Sequence, residues 1–477
     1  MALPSRFSLY RPFTQNFLVG CILLCLPGIY TALTGLGAGG GQPSSADVAN
    51  KTNALLYGLL ALVALFGGTI LNMLRPKLSL AIGSLGYPCY VGGLWYYDRT
   101  GNAWFALLAG AMLGITGGFL WTAAAYVQFS YAQEKDKGLY ISTQWILRSI
   151  GAIVGSSISL GLSVGQTSPV GVSTPVYVAF IAIHTSAVLI ALLLIVDPGR
   201  VVRRDGTHIA VFGEARLWPE VKGTLAVMLD RRYLFTAPAQ LVCEMALALV
   251  SSVNSRYFNL RTRSVNNFAY QATQAFVPAV LVLVLDSKYI RSRRTRGLVG
   301  IAGMGTVAVG ASAGLIGWLQ VHRVDALRTP AGADWSDAEW PGLFVCYVLF
   351  GAVYAGYQMC VEYTLSATTN DPAVLARVAG MFKFYSAFGM MVSFVMAGEG
   401  VSFLGQITLQ LVLYALGICG VVWVLVFHVQ ESNYFSEDNV IAPVAVEEQK
   451  RGLEAENSQP AKDVAAQNTS SVSGHRA

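Results

Sequence analysis

Arg148 and Glu244 each stand near the middle of a long apolar run, the first in LYISTQWILRSIGAIVGS (Leu139 to Ser156), the second between Tyr233 and Phe258. A charged group at the centre of an apolar helix is costly and normally faces a cavity or a partner. Gln144 precedes Arg148 by one helical turn, so the two share a face. This set suits attraction of an anionic or polar solute by Arg148, with Glu244 as counter-charge or proton carrier. A fixed pair that locks two helices fits the same residues. Glu362 and Lys383 lie at similar depth on consecutive apolar runs. They suit an inner gate, or a static ion pair whose side chains snorkel towards headgroups. Gln128, Gln271, Gln274, Gln358, Trp121, Tyr126 and Tyr357 offer hydrogen bonds and aromatic walls of the kind that line a small-solute pathway. Taken singly, each also suits interhelical hydrogen bonding or core packing. His184 and His428 lie in apolar segments without evident partners and read as structural.

No enzyme chemistry stands out. There is no P-loop, no nucleophile elbow, no H-E-x-x-H and no cluster of metal ligands, so neither catalysis, direct ATP coupling nor a bound cofactor is expected. The glycine run Gly35 to Gly41 is not followed by Lys-Ser/Thr and reads as a loop. Cys21 and Cys25 share a helix face, but no His or further Cys completes a metal set. All seven cysteines fall in apolar spans, which implies no disulfide framework.

The elements that must position these residues are membrane spans. Of 477 residues 54% are hydrophobic and 12% charged, against about 25% charged in a soluble domain, and the mean hydropathy is +0.52. A spanning helix needs roughly 20 apolar residues, and the region from Phe13 to His428 has room for twelve. The expected fold is therefore an all-α polytopic membrane protein. Residues 1–12 form a short terminus, 13–196 six helices, 197–232 a basic linker, 233–428 six more helices, and 429–477 a polar tail expected to be disordered. Helix one (Phe13 to Leu36) carries the kinking pair Pro27-Gly28. Helices two and three (Asn53 to Met73, Leu78 to Tyr97) flank the turn Arg75-Pro76-Lys77. Helices four and five form a hairpin about Gln133 to Lys137, and the glycines Gly110, Gly114 and Gly118 on helix four invite close packing. In the linker, Leu217 to Leu229 is weakly amphipathic.

The net charge of +6 comes from basic residues gathered between spans. That pattern fits the positive-inside rule and gives nucleic acid no support. Alternate loops hold nineteen and seven Lys/Arg, which puts both termini in the cytoplasm. Arg256, Arg261 and Arg263 go against the rule. The sequon Asn50-Lys51-Thr52 falls in a loop thus assigned to the outside and makes Asn50 a glycosylation candidate. The halves also echo one another: Gly138 and Gly380, each opening an aromatic-rich helix after a short polar turn, are 242 residues apart. Two six-helix bundles related by an axis along the membrane normal, with a cavity between them, would produce that echo.

Twelve helices split by a long basic loop resemble the major facilitator superfamily. NALLYG (Asn53 to Gly58), GGFLWTAAAYVQFSYAQEKDKGLYIS (Gly117 to Ser142), VNSRYFNLRTRSVNNF (Val253 to Phe268) and TNDPAVLARVAGMFKFYSAFG (Thr369 to Gly389) resemble its Unc-ninety-three-like branch in the fungal form. The resemblance implies the facilitator fold and an organellar or surface membrane. It admits three roles: a transporter of a small solute by alternating access, a non-transporting partner that traffics or regulates another membrane protein, and an efflux carrier for a secondary metabolite. Two departures stand out. The loop signature after helix two is reduced to NMLRPKLS (Asn72 to Ser79), and Arg148 stands where a neutral residue is expected.

Overall fold

Inside lipid an apolar run can satisfy its backbone only within itself or in a closed barrel. This chain takes the first course. The computed structural model describes residues 8–28, 30, 45–163, 174–211, 217–324 and 332–458, and among these every regular element is helical. The only β pairings among them are isolated bridges at Val202–His208 and Phe258–Ala333. In chain order the helices are α1 (Pro12–Leu23), α2 (Ser45–Leu65), α3 (Gly67–Ser84), α4 (Gly86–Thr100), α5 (Trp104–Ser130), α6 (Lys137–Ser163), α7 (Thr174–Leu194), α8 (Leu217–Leu229), α9 (Arg231–Leu234), α10 (Ala237–Tyr257), α11 (Leu260–Leu285), α12 (Arg293–His322), α13 (Trp340–Ala367), α14 (Pro372–Gly398), α15 (Phe403–Phe427) and α16 (Val444–Ser458).

Among the described residues nine helices are long and apolar enough to cross a membrane: α2, α5, α7, α9 with α10, and α11 to α15. The chain is a multi-pass membrane protein. Three expected spans fall short of that measure for visible reasons. α1 gives way at Leu24–Gly28 to a π-helical turn containing Pro27, and residues 31–44 lie outside the described set. α6 has 27 residues but carries Gln144 and Arg148. The third is broken: α3 is two helices meeting at Arg75, whose φ of 61° turns the chain, and Leu85 separates α3 from α4. Helices two and three thus run on either side of Arg75 as expected, but the first begins at Ser45, eight residues before Asn53.

That earlier start moves the sequon. Asn50 lies inside α2, not in a loop, and Thr52 is fully buried against Gly110 of α5. The glycine stripe of α5 is the reason α2 can approach so closely. A Cβ on Gly110 would stand 2.5 Å from Thr52 Cγ2, and one on Gly118 2.7 Å from Val63 Cβ. The first and second halves of the sequence meet along two seams, α6 against α11 and α14 against α2. The echoing glycines lie on the helices of these seams, Gly138 at the start of α6 but Gly380 eight residues inside α14, which it therefore does not open as expected. Gly138 donates its N–H to Asp286 Oδ1 at 2.9 Å, and Gly380 packs against Ala64 O, 2.8 Å from where its Cβ would be.

The tail corrects an expectation. Residues 429–458 are described, Val429, Asn433, Tyr434 and Ala442 are buried, and α16 follows. Polar composition argued for disorder, but four anchors suffice when their partners are already folded. Residues 459–477, with the sequon at Asn468, and the glycine run Gly35 to Gly41 lie outside the described residues. A second correction concerns Gly310-Ala311-Ser312-Ala313-Gly314, which spells the G-x-S-x-G pattern of a nucleophile elbow. Ser312 sits in mid-helix in α12, and its hydroxyl donates to Ala308 O at 2.8 Å. No strand-to-helix turn exposes it.

Candidate functional site

The π turn after α1 brings Gly28 onto α6, where its Cβ would lie 2.7 Å from the carbonyl oxygen of Arg148. This close approach fixes the part of α6 that carries Gln144, Trp145 and Arg148. The side chains of Trp145 and Arg148 reach α13, where they bond Glu362 and Tyr354. There they line a cavity of about 20 Å³ with Trp121 and Gln128 of α5, Gln358 and Glu362 of α13, and Lys383 of α14. A second cavity of about 30 Å³ shares Trp121 and Arg148 and adds Tyr30, Tyr57, Tyr87 and Tyr354. Each has room for one or two waters. Among the described residues Arg148 is buried between these two small cavities.

Arg148 is held by aromatic faces. Its Cζ lies 4.7 Å from the ring of Trp145, 5.0 Å from Trp121 and 5.4 Å from Tyr354, and its Nη2 donates to Tyr354 Oη at 3.0 Å. Cation–π contacts stabilise a desolvated guanidinium by up to about 2 kcal/mol each. Among the described residues no carboxylate stands within 4.0 Å of Arg148. Glu244 of α10 pairs instead with Lys383, Oε1 to Nζ 3.5 Å, with both side chains nearly buried. The Lys383 ammonium also lies 4.8 Å from the Trp121 ring. Glu362 accepts from Trp145 Nε1 and from Gln358 Nε2, both at 3.1 Å. Lys383 and Glu362 therefore face one cavity, but the ion pair runs to Glu244. The direct Glu362–Lys383 pair expected of a gate is not made.

The remaining candidates divide. Gln144 is tied to Asn16 Oδ1 at 2.8 Å and to Ala124 O at 3.1 Å. Gln271 and Gln274 bond along their own helix α11, to Asn267 and to Gln271. Tyr126 packs edge-on against Tyr131, and Tyr357 against Tyr414, so neither lines the two cavities. Sequence reasoning missed Trp145 and Tyr354. Trp145 was legible, since it lies one turn before Arg148 on α6.

One end of the bundle, where α1 begins, α15 finishes and the linker lies, is latched. Glu134 between α5 and α6 pairs with Arg293 at the start of α12, 2.9 Å apart and nearly buried. The same carboxylate accepts from Asn370 Nδ2 at 2.6 Å and from the Asn433 backbone N–H at 2.7 Å. Asp286, just past α11, accepts from the N–H groups of Gly138 and Leu139 at 2.9 and 2.6 Å, so one half caps a helix of the other. Burial, with Asp136 nearby, pushes its carboxyl up to about 7. In the linker, Glu220 of α8 accepts from Asn72 Nδ2 at 2.7 Å and from Arg377 Nε and Nη2 at 3.1 and 3.0 Å, which clamps the α3 and α14 ends together.

Residues 50–253 match the family described as "Ion channel regulatory protein UNC-93". A membrane protein of Schizosaccharomyces pombe is 41% identical over 82% of this chain and 80% of its own length. UNC93-like protein 1 of Arabidopsis thaliana is 30% identical over 90% of this chain and 93% of its own. Among solved structures the major facilitator superfamily transporter FucP, in its outward conformation, superposes with a TM-score of 0.59. That match covers 87% of this chain and 99% of FucP at 12% identity, a likeness of fold alone.

Proposed function

This chain belongs to the UNC-93 family, and from that premise, with its facilitator fold, we propose that it is a secondary transporter that moves a small anionic solute by alternating access. In this reading twelve spans form two six-helix bundles, the linker end faces the cytoplasm, and the structure is the state latched on that side. The observation that carries it is Arg148: a buried cation on the seam between the halves, bedded in aromatic rings, with no carboxylate within 4.0 Å among the described residues. An anion entering from the other side would supply the missing charge. The Glu244–Lys383 pair would then open and close as the halves rock, with no role for ATP. Flux of a panel of small organic anions into vesicles carrying the protein, compared with empty vesicles, tests the reading. Uptake of at least one member supports it.

A second reading rests on the small size of the two cavities at Arg148, about 20 and 30 Å³, and on the matching family being one of ion channel regulatory proteins. There the chain is a membrane partner that regulates or traffics another membrane protein. Absence of flux for every member, with stable co-purification of a second membrane protein, favours it.

A further inference from the structure

At the latched end α16 roofs a chamber of about 650 Å³ whose walls come from the α5–α6 connection, the α11–α12 connection and the chain after α15. This volume is in the range of small-molecule sites. Past Lys135 it adjoins a second chamber of about 500 Å³. Lys135, Arg291, Arg296 and, from the roof, Lys450 line the first, against two acids. Both acids are engaged elsewhere: Glu134 with Arg293, and Glu431 with Ser292 Oγ at 2.6 Å and the Arg293 N–H at 3.2 Å. Among the described residues, Lys135, Arg291 and Arg296 stand within 4.0 Å of no carboxylate.

Orientation in the membrane needs only a surplus of Lys/Arg near span ends. It does not require Lys135 and Arg291, from two connections, to line one space with Arg296 of α12, whose Nε is held by Ile290 O at 2.7 Å, none of the three in an ion pair among the described residues. Guanidinium forks match phosphate oxygens two at a time, and a lysine adds a point charge. We infer that this chamber binds a phosphate-bearing polyanion, drawn either from a phosphorylated inositol headgroup of the adjoining leaflet or from a free polyphosphate. The site is separate from the cavities at Arg148 and does not depend on the transport reading. Because Glu134 and Arg293 form its inner wall, a bound polyanion joins α16 to both halves and holds the latch shut.

The test is ligand-induced thermal stabilisation of the full chain in detergent. The probes are inositol hexakisphosphate, a short-chain phosphatidylinositol bisphosphate, and sulfate at matched ionic strength. The melting midpoint rises saturably with one or both phosphate probes and not with sulfate. Lys135→Gln with Arg291→Gln weakens the apparent affinity by at least about tenfold. Arg291→Lys keeps the charge, loses the fork and weakens it less, which covers the case of a double variant that fails to fold. A rise with the soluble probe alone identifies a free polyphosphate, and a rise with the lipid alone identifies a headgroup. No rise with either, a rise that sulfate reproduces, or equal affinity in wild type and in every variant that folds overturns the inference.

Discussion

Glu134 and Arg293 lie 2.9 Å apart at the latched end although 159 residues of chain separate them, and their side chains are only 10% and 5% exposed. An ion pair so buried is strongly destabilised when one member is lost, by about 3–5 kcal/mol. Glu134→Gln keeps the shape but leaves Arg293 with neutral acceptors alone, the new amide oxygen and the carbonyls of Gln430 and Ala367. Thermal unfolding should show a loss of roughly 3 kcal/mol. A double-mutant cycle with Arg293→Gln should return a coupling of at least about 1 kcal/mol; additive losses would show that the pair does not hold the ends together.

Asp286 makes the α6–α11 contact depend on pH. Its folded carboxyl titrates near 7 against an ordinary 3.8, held up by burial and by Asp136, and opposed by Arg296 and the two capping N–H groups. The folded state therefore binds the proton more tightly than the unfolded chain does. Its contribution is complete below pH about 4 and is lost as pH rises through about 7, to a limit of about 4 kcal/mol. The melting midpoint of the wild type should fall more steeply than that of Asp286→Asn between pH 5 and 8. Parallel curves would remove this group from the pH response.

Trp145 reaches from α6 across the seam to Glu362. Trp145→Phe keeps an aromatic face beside Arg148 and deletes the N–H donor, so it should cost about 1.5–3 kcal/mol, the worth of a buried hydrogen bond to a charged group. In a Glu362→Gln background the same change should cost less. An equal cost in both backgrounds would show that the bond adds nothing beyond ring packing.

The α14–α2 seam depends on a missing side chain. Gly380→Ala sets a methyl group 2.8 Å from Ala64 O and 2.9 Å from Gly68 N, both backbone atoms, and should destabilise by about 1–3 kcal/mol. Gly303→Ala on α12 meets nothing within 4 Å and should be neutral or stabilising by up to about 1 kcal/mol. Denaturation of the two variants side by side checks the contrast, and similar midpoints would contradict it.

Nine of the expected spans were legible because a run of apolar residues states its own secondary structure, and the turn at Arg75 and the helix at Leu217–Leu229 were legible from local composition. Arg148, Trp121, Gln144, Gln358, Glu362 and Lys383 converge on one cavity, and each announced itself as a polar or aromatic group in an apolar segment. What sequence could not give is who pairs with whom. Lys383 chose Glu244, 139 residues away, over Glu362. The tail was illegible for the same reason: Asn433 is ordered by Glu134, 299 residues upstream. Such partners are set by packing of whole helices, which no local window of residues records.

Charge selectivity at Arg148 is the most direct test of transport. In sealed vesicles, the wild type should take up an organic anion faster than its neutral amide or ester analogue. Arg148→Gln, shown to be folded by its melting curve, should lower anion uptake by at least about tenfold while leaving the neutral analogue unchanged. Equal anion uptake in wild type and Arg148→Gln would contradict an anion site at this residue.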